Sequence, residues 1–184
     1  MDVAIVYESL FGNTRSVAEA IADGVRQADP SAHVDLLPVA NAKAEQVARA
    51  QLLVVGGPTH MRGMTSDMTR RKGLENEEQA ARDKGRGFAP EAGAAGPGIR
   101  DWFGALPKAT PGAHAAAFDT RAGFRLAGGA AKKISQRLRR QGYGLVGKPA
   151  GFIIEGTEGP LRDGERDKAR AWGAALVSAL VQPR

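Results

Sequence analysis

The 184-residue chain contains no cysteine. That absence removes disulfides, thiolate metal sites, iron–sulfur clusters and cysteine nucleophiles, and it fits a reducing compartment. No apolar run approaches the ~20 residues of a membrane span. Met1 and Asp2 lead directly into a short apolar run with no basic leader or small-residue cleavage site, so a cytoplasmic protein is expected. Aromatic residues make up only 5%, and none interleaves with the basic clusters as the stacking platforms of nucleic-acid readers would, so nucleic acid is not an expected partner. Acidic residues are outnumbered, 20 against 26 lysines and arginines. The resulting net charge of +6 bears on partners, favouring acidic ones, and not on fold.

What is present suits one domain spanning residues 1–184. A compact chain of this length buries roughly 70% of the surface its unfolded form exposes, and 42% hydrophobic residues supply a core. Four short apolar runs, Val3 to Tyr7, Leu52 to Val55, Ala115 to Phe118 and Phe152 to Ile154, have the form of buried parallel strands. Val34 and Leu36 alternate with polar neighbours, as an edge strand does. Val17, Ala18, Ile21 and Val25, and later Ala169, Trp172, Leu176 and Leu180, recur at helical spacing. Five strands alternating with helices predict an α/β fold whose parallel sheet is covered on both faces. Residues 61–98, charged and glycine-rich, interrupt the alternation as a long excursion, either mobile or folded over a ligand. A helix from Ile99 to Leu106 resumes it.

The first turn carries the chemistry. Strand Val3 to Tyr7 runs into Glu8, Ser9, Leu10, Phe11, Gly12, Asn13 and Thr14, and the helix begins at Asn13 or Thr14. A helix N-terminus gathers unpaired N–H groups and a positive dipole end, here lined by the Ser9 and Thr14 hydroxyls and the Asn13 amide, with Gly12 permitting close approach. The residues alone leave two readings open, a phosphate socket or an ordinary helix cap. Two more turns, Gly56 to Met61 and Asp119 to Phe124, sit at carboxyl ends of predicted strands, where open parallel sheets bind ligands.

In these three places the chain resembles the flavodoxins. Tyr7 to Thr14 is similar to the family's flavin-phosphate loop, except that Phe11 stands where a second hydroxyl is the rule. Gly56 to His60 is similar to the loop beside the isoalloxazine ring, and Asp119 to Phe124 to the loop on its other side. The resemblance implies a flavodoxin-like doubly wound, five-stranded sheet of order 2-1-3-4-5, bound FMN, and electron transfer between redox partner proteins, a reductase and an acceptor. It implies that Ser9, Leu10, Phe11, Gly12, Asn13 and Thr14 form the cofactor-binding turn, with Ser9, Gly12, Asn13 and Thr14 holding phosphate, that Pro58, Thr59, His60 and Met61 flank one side of the flavin, and that Thr120, Arg121 and Phe124 flank the other. No residue is assigned a catalytic role. Two alternative readings are an FMN-dependent oxidoreductase acting on a quinone or porphyrinogen-like substrate, and a binding module of this fold that has lost flavin.

Other signals are set aside. Gly142 to Gly147 matches a dinucleotide fingerprint and, with Lys148, nearly a P-loop, but it follows a helix and precedes a strand, and Pro149 holds the hydroxyl position, so it reads as a helix stop. His33, His60 and His114 show no metal-ligand spacing. Lys132, Lys133, Arg137, Arg139 and Arg140 form a basic helix face, read first as solvated surface.

Overall fold

The computed structural model describes residues 1–60, 63–85, 87–123, 129–156 and 159–181. In chain order the elements are β1 (Asp2–Tyr7), α1 (Asn13–Ala28), β2 (His33–Pro38), α2 (Ala44–Ala48), β3 (Leu52–His60), β4 (Gly63–Met64), α3 (Asp67–Asp83), α4 (Ile99–Ala105), β5 (His114–Ala122), α5 (Ala130–Gln141), β6 (Gly144–Leu145), β7 (Ala150–Ile154) and α6 (Glu165–Val181).

The sheet runs β2-β1-β3-β5, all parallel, and β6 and β7 divide the remaining edge of β5 between them. The expected order 2-1-3-4-5 is therefore present, with its fifth strand split in two. Gly147 and Pro149 lie in the break, where proline has no N–H to give a ladder. A short antiparallel pairing, β3 with β4, brings the total among the described residues to seven strands rather than five.

Alternation along β1 explains the two cores. Val3, Ile5 and Tyr7 face α1 and α6, sharing a buried cluster with Val17, Ile21, Phe118, Phe152 and Leu176. Ala4 and Val6 face the opposite way, packing in a cluster with Leu53, Val55, Trp102, Phe103, Ile134 and Leu138 from β3, α4 and α5. Strands covered on both faces need apolar side chains at every position, hence the continuous runs. On the first face α1 and α6 approach backbone to backbone. A Cβ on Gly24 would stand 1.9 Å from the Arg170 carbonyl oxygen, and one on Gly173 2.3 Å from that of Ile21.

Two expectations are corrected. The strands after Val55 and Phe118 do not end there. β3 continues through Gly56 to His60 and β5 through Asp119 to Ala122, because Gly57 pairs with Asp119 and Pro58 with Thr120 in the parallel ladder. The excursion at 61–98 contains a 17-residue helix, α3, that apolar periodicity did not reveal. Its stability comes from a Ser66–Thr69 capping box and from side-chain pairs such as Arg82 with Glu78, and Arg70, Glu77 and Ala81 are what it buries.

Candidate functional site

The first turn leaves β1 at Glu8 and enters α1 after Gly12, whose φ of +88° is left-handed backbone that a side chain would strain. The four groups expected to meet a phosphate are all near one another, and several already have partners. Gly12 N–H donates to Ser9 Oγ at 3.1 Å. Thr14 Oγ1 and Thr120 Oγ1 lie 2.8 Å apart, joining the first turn to the end of β5 across 106 residues. The Asn13 side chain packs on Gly159, where a Cβ would come within 2.2 Å of its Nδ2. Leu10 is buried beneath the turn and Phe11 is partly exposed.

Above Gly12 stands a carboxylate that the motif did not announce. Glu91 Oε1 is 3.1 Å from where a Gly12 Cβ would sit and 3.3 Å from Arg15 Nη2. Its backbone N–H donates to the Leu10 carbonyl at 2.9 Å. The strand-free stretch around it folds through tight turns, Ala94 N–H to Glu91 O and Gly96 N–H to Gly93 O, and forms a strap over the carboxyl ends of β1 and β2. Between strap and turn lies a small cleft of about 30 Å³, lined by Tyr7, Ser9, Val39, Arg70, Glu91 and Gly93. A carboxylate oxygen thus stands beside Gly12 at the start of α1, where a helix N-terminus favours negative charge.

The second and third loops converge on the start of α5. Thr59 Oγ1 accepts from Ala130 N–H at 2.8 Å, and Asp119 Oδ2 accepts from Ala131 N–H at 2.8 Å. Asp119 is fully buried, and burial holds its carboxyl above the usual aspartate range, opposed by these hydrogen bonds and by Arg121, whose Nε lies 3.7 Å away. Pro58 is part of the β3–β5 ladder. His60 turns toward α3: its Cε1 is 3.2 Å from the Cβ position of Gly73, and burial lowers its pKa. Met61 and Phe124, both expected to flank a flavin, lie outside the described residues.

Sequence reasoning missed a third carboxylate, Glu8. Its Oε1 accepts from the Thr65 hydroxyl at 2.5 Å and its Oε2 from Ile99 N–H at 2.9 Å, so it ties the end of β1 to the beginning of α4. Burial raises its pKa, with both hydrogen bonds and Arg70 working the other way. A carboxylate directly after a buried apolar run was the available signal, since such a group needs partners. Glu91 had none: only the folded excursion carries it to Gly12.

The comparisons agree with this architecture. The family model described as Flavodoxin matches residues 5–96. Oxidised flavodoxin 1 from Bacillus cereus superposes with a TM-score of 0.65 at 16% identity, covering 97% of this chain and 98% of its own. A flavodoxin from the domain Archaea gives 0.64 at 18%, covering 99% and 100%. Two-electron reduced Megasphaera elsdenii flavodoxin gives 0.59 at 19%, covering 96% and 99%. A comparison with curated proteins finds no match.

Proposed function

The chain belongs to the flavodoxin family, and from that premise we propose that it binds FMN at the carboxyl edge of its sheet and passes electrons between partner proteins in the cytoplasm. The observation that carries this reading is the first turn, where an anionic oxygen already rests beside left-handed Gly12 at the start of α1. FMN, when bound, would supply the electron-transfer chemistry.

The chain's own residues would bind and orient. The Gly12–Thr14 backbone and Arg15 would hold the phosphate, with Ser9 keeping the turn in shape through its bond to Gly12 N–H. The Thr14–Thr120 contact would fix the spacing between the phosphate end and the third loop. Pro58 and Thr59 would flank the ring on the β3 side, and Thr120 and Arg121 on the β5 side. Arg121 shares its charge with Asp119, so its electrostatic influence on a bound ligand would be moderated. His60, seated on α3, would act as wall rather than stacking partner. The basic face of α5 fits acidic redox partners: Lys132, Lys133, Arg137, Arg139 and Arg140 share that helix with no acidic residue.

Titrating apoprotein into FMN tests the reading. Saturable quenching of flavin fluorescence at micromolar protein is expected, and flavin that stays fully fluorescent at millimolar protein would overturn it.

A further inference from the structure

Helices α1, α4 and α5 all begin at the carboxyl edge of the sheet, and each beginning is met by a carboxylate. Those of Glu8 and Asp119 come from strands or strand ends, are 4% and 0% exposed, and accept hydrogen bonds from the helix backbone. Glu91 differs in every respect. It comes from the strap, its side chain is 20% exposed, and the charge it pairs with is Arg15, itself 48% exposed.

We propose that Glu91 is an internal counter-anion of the first turn, which must leave before a phosphorylated ligand can settle there and so sets the affinity for such ligands. This rests on the phosphate-site reading of the first turn given above. A carboxylate and a dianionic phosphate cannot share the space beside Gly12, because like charges a few ångströms apart repel strongly in a partly desolvated site. Displacement is feasible because an ion pair with one solvent-exposed partner, here Arg15, holds weakly. Arg15 would then be handed from carboxylate to phosphate. A ligand of the same shape without phosphate would not compete for Arg15 and would feel Glu91 far less.

Glu91→Gln tests this, with Glu91→Ala as a second variant. FMN and riboflavin are titrated into the wild-type chain and each variant at fixed ionic strength. The expected result is an FMN dissociation constant roughly five- to tenfold lower in the variants, with riboflavin affinity changed less than twofold. An unchanged ratio of FMN to riboflavin affinity, or weaker FMN binding, would overturn the proposal. Inorganic phosphate supplies a readout independent of flavin: the amide resonances of Gly12 and Asn13 should shift at lower phosphate concentration in Glu91→Gln than in wild type. If neither protein binds FMN but phosphate still separates them, the flavin reading fails and the counter-anion stands. If phosphate moves those amides equally in both, the counter-anion fails whatever flavin does.

Discussion

The start of α5 and the start of α1 are two solutions to one electrostatic problem. Each helix presents unpaired N–H groups and a positive dipole end at the same edge of the sheet. At α5 the answer is internal: partly buried Thr59 and fully buried Asp119, from neighbouring strands, accept from Ala130 and Ala131. At α1 the capping residue is Gly12, which offers no side chain, the first turn holds no acidic residue, and the anion comes from a loop 79 positions away in the chain, Glu91 against Gly12. A helix start sealed by a strand carboxylate is architecture. One covered by a partly exposed carboxylate from a strap is where our proposal places a ligand.

The contrast is broken or sharpened by substitution. Asp119→Ala should have the largest effect, about 3 kcal/mol of unfolding free energy by denaturant titration, because it strands the buried Ala131 N–H and removes the buried carboxylate beside Arg121. Glu8→Ala should cost about 2 kcal/mol by the same measurement, through the bonds lost at Thr65 and Ile99. Glu8 also predicts a pH dependence. Burial raises its pKa above the ordinary 4.5, so between those values the folded chain holds a proton that the unfolded chain has released. Stability therefore falls as pH rises through that window, and in Glu8→Gln that part of the slope should vanish while the slope due to Asp119, of the same sign but starting lower, remains. Gly12→Ala should cost about 1 kcal/mol, from the left-handed backbone at φ +88°. Glu91→Gln should have the smallest effect, within about 0.5 kcal/mol of wild type, as a pair with one exposed partner allows. Equal losses for Glu91→Gln and Asp119→Ala would erase the distinction between sealed and exchangeable starts.

Much of the sheet was legible because its strands are buried on both faces, and residues such as Val3 to Tyr7 or Leu52 to Val55 have no other stable home than a covered sheet. Gly56 to His60 read as a turn because glycine and proline punctuate local structure, yet the ladder to β5 overrode that preference through Gly57 and Pro58. Helix α3 was hidden because it buries almost nothing apolar, and its capping box at Ser66 and its charge pairs were the only local marks. Ser9, Gly12, Asn13 and Thr14 lie in the turn between β1 and α1 and at the start of that helix. What no spacing indicated was that Thr14 would meet Thr120, that His60 would lean on Gly73, or that Glu91 would reach Gly12.

By itself the amino-acid sequence determined the layers and the local geometry: apolar runs that only a doubly covered sheet can bury, and a glycine where α1 needs left-handed backbone. The tertiary structure alone decided which anion meets which helix. Carboxylates have no periodicity to be read, and a charge finds its partner through the field of whatever the folded chain brings within a few ångströms of it.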